Sequence, residues 1–146
     1  MKTAAKSFRF LLALVTWQII GLGWNNLVAI PVAPSSAVLD VVTNTNDDGP
    51  GSLRNAIRWA NLHPGRTIRF NLPANLAAGG LFTIQPLSEL PVLTANGTII
   101  HGATQPGYAG VPLVIVNGSA AGTGAVGLRV SASICTVRGQ IGRAHV

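Results

Sequence analysis

Glycine and proline interrupt this chain too often for it to form long helices. The 146 residues include 17 Gly and 9 Pro, which divide the sequence into short pieces. Both residue types are poorly tolerated inside helices, and helices also need charged outer faces, whereas only 10% of this chain is charged. The sequence therefore predicts one turn-rich domain that is mostly β, and its length excludes a multidomain enzyme.

The first 37 residues have the pattern of an export signal. Three basic residues precede an apolar run that starts at Phe10; they are Lys2, Lys6 and Arg9. Small residues then follow, with Ser35 and Ala37 in positions that a signal peptidase recognises. We therefore expect residues 1–37 to be a signal peptide that is cleaved after Ala37.

A retained membrane anchor over residues 10–30 is the alternative, because that segment is long enough to span a bilayer. Polar residues and glycines interrupt its second half, which favours the cleaved signal. In both cases the rest of the chain leaves the cytoplasm. The expected location is secreted or on the cell surface, with membrane contact only through the signal segment.

The formal charge of +6 overstates how basic the folded part is. Without residues 1–37 and Arg143, six arginines stand against four acidic residues, which leaves +2. This small excess argues against a nucleic-acid partner.

The single cysteine, Cys135, excludes an internal disulfide and is interpreted as a small buried apolar residue.

Residues 38–66 are predicted to contain one strand and one short helix. A β-prone run at 38–43 leads into a polar turn, and Ser52 then has the properties of a helix N-cap. The apolar residues that recur with helical spacing are Leu53, Ala56, Ile57 and Ala60. The helix should end at residues 63–65, His-Pro-Gly, and is too short to be stable alone.

After this helix, short extended runs alternate with Gly, Pro and Asn. The candidate strands are residues 67–71, 81–85, 98–101, 113–117, 127–130 and 134–138. Their spacing is typical of all-β folds. Periodicity alone leaves two architectures open, a β-sandwich and a parallel β-helix.

Two longer motifs resemble one known family. Residues 42–64, VTNTNDDGPGSLRNAIRWANLHP, resemble the opening of secreted bacterial right-handed parallel β-helix proteins, which are pectin-lyase-like and related to the CSLREC group. Residues 99–130, IIHGATQPGYAGVPLVIVNGSAAGTGAVGLRV, resemble the first coils of that family. Gly51 and Asn55 stand near the positions where the CSLREC motif has cysteines, so the disulfide expected from that motif is absent here.

The resemblance implies a single-stranded right-handed β-helix whose first coils occupy residues 67–140. The short helix would then cap the first coil. The residues of this structural cap are Ser52, Leu53, Ala56, Ile57 and Ala60. Arg54 is expected to form an ion pair with Asp47 or Asp48 as a stabilising contact.

Acidic residues are too few and too scattered to predict catalysis. Glycoside hydrolysis needs two carboxylates that face one bond, and a lyase needs clustered acids for calcium plus a basic residue. The four acidic residues are Asp40, Asp47, Asp48 and Glu89. We therefore assign no catalytic, metal-binding or cofactor-binding residues, and we interpret the oxygen-rich loop at 44–48 as a turn rather than a calcium site.

The last six residues, 141–146, have no β-helix character and match one reading frame of a widely used sequencing adapter. They are expected to be a non-native tail, and the chain is expected to be the N-terminal fragment of a longer protein.

The favoured function is a non-enzymatic surface or secreted protein with a structural, adhesive or glycan-binding role. The alternative is a polysaccharide lyase or glycoside hydrolase with its catalytic coils downstream.

Overall fold

The computed structural model describes residues 39–143, which contain seven short strands and one α-helix. The strands are β1 (Val41–Val42), β2 (Thr67–Phe70), β3 (Phe82–Ile84), β4 (Ile99–His101), β5 (Val114–Asn117), β6 (Thr136–Arg138) and β7 (Gln140–Arg143). The helix, α1, spans Leu53–Leu62. The expected signal peptide, residues 1–37, lies outside the described residues, as does the end of the expected tail, residues 144–146.

The strands form two small sheets in which every strand pair is parallel. One sheet has the order β1-β2-β4-β6 and the other has the order β3-β5-β7. From β2 onward, successive strands alternate between the two sheets. Parallel neighbours need long connections, because the chain must return to the same end of the sheet before each new strand.

The expected fold class, a mostly β right-handed parallel β-helix, is wrong. The described residues form two small parallel sheets and one helix, which is an α/β-like arrangement, and no solenoid is shown. None of these strands is longer than four residues, whereas α1 has ten. Gly and Pro spacing limits strand length, but it does not decide how strands are divided between sheets or how a helix packs on them.

Helix α1 begins and ends through local hydrogen bonds. The Ser52 hydroxyl accepts from the backbone N–H of Asn55 at 3.2 Å, which satisfies one of the free donors of the first turn. At the other end the N–H of His63 donates to the carbonyl of Ala60, and Gly65 adopts a positive φ of 77° that suits glycine. No helix in the described part of the chain is long and apolar enough to cross a bilayer.

The core lies between α1 and the inward faces of both sheets. Strand register places Ile68 of β2 beside Ile100 of β4, and Ile100 beside Val137 of β6. The second sheet contributes Ile84 and Val116 in the same way. Because neighbours in a parallel sheet align side chain over side chain, each new strand extends the same apolar row.

Five of the six candidate strand segments between residues 67 and 138 contain a strand. The exception is 127–130, where Val130 makes only an isolated bridge to Leu93. The structure also contains a strand that the sequence analysis placed in the tail. Residues 140–143 form β7, which pairs with β5.

Two side chains that follow β4 make hydrogen bonds to the backbone at the end of β2 and just after it. Gln105, which is 2% exposed, accepts from the N–H of Leu72 at 2.8 Å and donates to the carbonyl of Leu72 at 2.9 Å. Just before it, the Thr104 hydroxyl accepts from the N–H of Phe70 at 2.8 Å. The Gln105 amide therefore replaces a backbone peptide and satisfies two buried groups of Leu72.

Replacing Gln105 with leucine should destabilise the fold. Leu72 would be left with a buried donor and a buried acceptor, each costing about 1–3 kcal/mol when unpaired. We expect Gln105→Leu to lower the free energy of unfolding by at least about 2 kcal/mol in urea titrations. Gln85 bonds Ser119 at the surface, so Gln85→Leu should change stability by less than about 0.5 kcal/mol. Equal effects of the two variants would contradict this role of Gln105.

Candidate functional site

The five residues of the expected structural cap lie in the core. Ser52, Leu53, Ala56, Ile57 and Ala60 are each at most 2% exposed. The four apolar members pack in one cluster with the inward side chains of the sheets. They explain why a ten-residue helix is stable here, but they present no reactive group to solvent. Their role as a cap stays a prediction.

Arg54 is a buried cation that joins three segments of the chain. Its Nε donates to the carbonyl of Asp47 at 3.1 Å, and its Nη2 donates to the Asp47 carboxylate at 2.7 Å. The same guanidinium donates to the carbonyl oxygens of Ser88 and Glu89, at 2.9 and 2.7 Å. The expected ion pair of Arg54 with an acid of the preceding turn is thereby confirmed, with Asp47 as the partner.

Both acids of this turn are held in their charged form. Hydrogen bonds from Arg54 and from the backbone N–H of Leu87 lower the pKa of Asp47 below its ordinary value. Asp48 accepts from Arg58 at 2.6 Å and from the N–H of Gly49, and these bonds lower the pKa of Asp48 as well. Both carboxylates therefore serve as acceptors within the fold.

The oxygen-rich loop at 44–48 uses its side chains for turn hydrogen bonds. The Asn44 side chain accepts from the N–H of Asn46 at 3.1 Å and donates to the carbonyl of Pro50 at 2.9 Å. Within residues 39–143, no group of three or more His, Cys, Asp or Glu side chains is arranged to hold a metal ion. The geometry is that of a turn fixed by Asx-type hydrogen bonds.

Every acidic residue of the described chain contacts an arginine. The four ion pairs are Asp47–Arg54 at 2.7 Å, Asp48–Arg58 at 2.6 Å, Glu89–Arg129 at 3.1 Å and Asp40–Arg69 at 3.5 Å. Each carboxylate of the described residues is therefore engaged by a different arginine.

Three basic side chains form a row on the outer face of the four-stranded sheet. Register aligns Arg69 of β2 with His101 of β4, and His101 with Arg138 of β6. We call Arg69, His101 and Arg138 the basic row. Arg138 Nη2 lies 3.4 Å from His101 Nδ1, and the Arg69 side chain is half exposed. Adjacent strands are about 4.8 Å apart, so the backbones of Arg69 and Arg138 lie roughly 10 Å apart along the sheet.

A second row with hydroxyl groups runs beside the basic row. Thr67, Ile99 and Thr136 are aligned on the same three strands, two residues before the basic side chains. Because alternate residues of a strand face the same side, the hydroxyl groups of Thr67 and Thr136 share the face of the arginines. This face therefore combines cations with hydroxyl donors and acceptors, which is the chemistry that carboxylates and sugar hydroxyls bind.

The Trp59 ring and the Cys135 thiol contact other groups of the fold, whereas Tyr108 lies at the surface. The Trp59 ring lies 3.7 Å from the His63 ring, centre to centre. Tyr108 is about one-third exposed, at 36%. Cys135 is partly buried against the core, with its sulfur 3.5 Å from the carbonyl oxygen of Ala95.

A half-open cavity of about 350 Å³ lies between the two sheets beside their last strands. Its walls are mainly apolar, with Ile100 and Val137 from one sheet and Val116 and Ile141 from the other. Leu53 contributes from α1. None of the titratable residues lines it, so the cavity lacks the charged groups of a catalytic centre.

Comparison with protein-family models, with curated proteins and with solved structures gives no match. The resemblance to pectin-lyase-like proteins therefore stays a prediction, and the site must be interpreted from its own geometry.

The basic row was not predicted from the sequence. Its signal is a short pattern in three strands, Thr-Ile-Arg at 67–69, Ile-Ile-His at 99–101 and Thr-Val-Arg at 136–138. Each triplet has an apolar residue in the middle and a basic residue at its end. Only the parallel register brings the three ends together, because the triplets are separated by more than thirty residues.

Arg54 should contribute far more to stability than Arg58. Arg54→Ala leaves the Asp47 charge and three carbonyl groups without their partner, and removing one member of a buried pair costs about 3–5 kcal/mol. Arg58→Ala is the matched control, because the Arg58–Asp48 pair is half exposed on both sides and such pairs contribute at most about 1 kcal/mol. Urea unfolding at neutral pH measures both. The result that would contradict this ranking is an equal loss in the two variants.

Acid should weaken the fold through Asp47. A carboxyl group whose pKa is lower in the folded than in the unfolded chain stabilises the fold at pH values above its ordinary pKa, which is 3.8 for Asp47. This contribution is lost as the pH falls through the lower folded-state pKa. The free energy of unfolding should therefore decline below about pH 4. In the Asp47→Asn variant this free energy should decline less steeply with falling pH. Urea titrations between neutral and acidic pH test this, and identical slopes in the two proteins would argue against it.

Proposed function

We propose that this protein binds an acidic polysaccharide outside the cell and that it acts by binding rather than by catalysis. The basic row is the observation that carries the proposal. Arg69 and Arg138 flank His101 on an exposed sheet face, with hydroxyl groups of Thr67 and Thr136 beside them. A guanidinium group can bind a carboxylate with two parallel hydrogen bonds, and the hydroxyl groups suit the sugar ring.

The distribution of charge supports an acidic ligand. All four acids of the described chain are occupied by arginines, so none is left to repel a polyanion. Arg138 forms no ion pair among the described residues, and the contact of Arg69 with Asp40 is the longest of the four, at 3.5 Å. The basic row therefore retains positive charge that a ligand can neutralise.

The geometry favours a polymer over a single sugar. The basic row runs across the strands, so a ligand that contacts both arginines must extend over three strands. Each exposed ionic contact contributes at most about 1 kcal/mol, so useful affinity needs several contacts at once. A chain of acidic sugars supplies such repeated contacts at high effective concentration.

The extracellular location in this proposal comes from the leader pattern of residues 1–37. Lys2, Lys6 and Arg9 before an apolar run, followed by small residues at Ser35 and Ala37, are typical of exported proteins. Surface adhesion to acidic glycans is compatible with that location. The paired state of every acid in residues 39–143 gives no support to the alternative of a lyase or hydrolase within this segment.

Binding to polygalacturonate tests the proposal. Isothermal titration at low salt should show binding to polygalacturonate and none to neutral dextran of similar length. The double variant Arg69→Ala/Arg138→Ala should weaken binding by about tenfold, which corresponds to about 1.4 kcal/mol, and the affinity of the wild type should fall as salt is added.

The double variant Arg58→Ala/Arg129→Ala is the matched control. It removes the same amount of charge from half-exposed arginines that lie outside the basic row. Equal weakening by both double variants would mean that net charge rather than the basic row binds the polymer. Equal binding of dextran and polygalacturonate would refute an acidic ligand.

A further inference from the structure

His101 is the member of the basic row whose charge can change near neutral pH. Arginine stays charged in proteins, whereas histidine is the side chain that ordinarily gains or loses its charge between about pH 5 and 8. His101 ends β4 and is partly buried, and register places it between Arg69 of β2 and Arg138 of β6. The total charge of the basic row therefore depends on whether this one ring carries a proton.

The contact between His101 and Arg138 is that of an uncharged ring. Arg138 Nη2 lies 3.4 Å from His101 Nδ1. A guanidinium group can only donate hydrogen bonds, so Nδ1 is assigned as the acceptor and the proton of the neutral ring is assigned to Nε2. A proton added to Nδ1 would place two donors opposite each other, each on a cation.

The charged groups around His101 oppose its protonation when no ligand is bound. The charged side chains of the two flanking strands are Arg69 and Arg138, and both are cations. The turn that follows β4, Gly102–Thr104, carries no titratable side chain. The acid that contacts the basic row is Asp40, which lies 3.5 Å from Arg69, next to β1 and on the side of β2 away from β4. A positive charge on the ring is therefore repelled by two like charges.

A bound polyanion reverses this balance. Carboxylates that neutralise Arg69 and Arg138 remove the repulsion, and other carboxylates of the same polymer favour a positive ring between them. Ligand binding and proton uptake are then linked, and such linkage is reciprocal. A ligand that promotes protonation of His101 must bind more tightly when the ring is already protonated.

We propose that His101 is a proton-dependent binding residue, which takes up a proton from solvent as an acidic polysaccharide binds and makes the affinity rise as the pH falls. This inference rests on the proposed function, because it concerns the same ligand and the same face. The protonated ring donates to a sugar carboxylate, so the basic row then holds three cations on three adjacent strands. The carboxylates of the polymer remain charged, because carboxyl groups ordinarily titrate near about pH 4.

Isothermal titration of the full chain with polygalacturonate at about pH 7.5 and about pH 5.5 tests this inference. The affinity of the wild type should be about fivefold higher at the lower pH, which is the gain expected from one more exposed ionic contact. His101→Gln, whose side chain stays neutral, should show no such gain. His101→Arg should bind equally well at both pH values and more tightly than the wild type at the higher pH.

The heat of binding measures the proton directly. Titrations at about pH 6.5 in two buffers of different ionisation enthalpy should show proton uptake on binding in the wild type and none in His101→Gln.

His63→Gln is the matched control. His63 is the other histidine of the described residues, and it lies outside the basic row, at the end of α1 with its ring against Trp59. This variant should keep the full gain in affinity at low pH. Equal wild-type affinity at both pH values would overturn the inference and leave the proposed function standing, as would an equal gain in His101→Gln. A wild type that binds the polymer at neither pH would overturn both.

Discussion

The buried guanidinium of Arg54 is the contact on which the arrangement of this protein depends. A cation that is almost removed from water needs partners for its donors, and Arg54 finds them in Asp47 and in the carbonyl groups of Ser88 and Glu89. These partners come from the turn before α1 and from the segment after β3. The position of the helix over the sheets is thereby linked to one charged group. Asp47 in turn accepts from the N–H of Leu87, which extends the same network.

Parallel register gives each strand two different roles. In β2, β4 and β6 the central residues, Ile68, Ile100 and Val137, face the core, and the residues after them form the basic row on the outside. A one-residue shift of β2 or β4 in one direction would replace Ile68 or Ile100 in the core with Arg69 or His101. The burial of Ile68 and Ile100 therefore also fixes the positions of Arg69 and His101 in the basic row. In this way the packing of the interior positions the face to which we assign ligand binding.

The acidic residues form ion pairs within the fold, and these pairs decide where charge remains on the surface. Asp47 and Asp48 fix the turn before α1, and Asp40 and Glu89 contact arginines near the sheet edge and the later loops. Positive charge consequently remains on the outer sheet face.

The sequence by itself determined the local features of this protein. The spacing of Leu53, Ala56, Ile57 and Ala60 with a preceding Ser52 predicts a short helix, and Gly, Pro and Asn positions predict where most strands lie, because these signals act over a few residues. The pairing of Arg54 with an acid of the preceding turn, Asp47 or Asp48, also followed from their short separation along the chain. The sequence did not determine the two-sheet arrangement, the strand at 140–143, the pairing of Gln105 with Leu72 or the basic row. Each of these depends on contacts between residues about thirty positions apart, which only the packed core and the parallel register bring together.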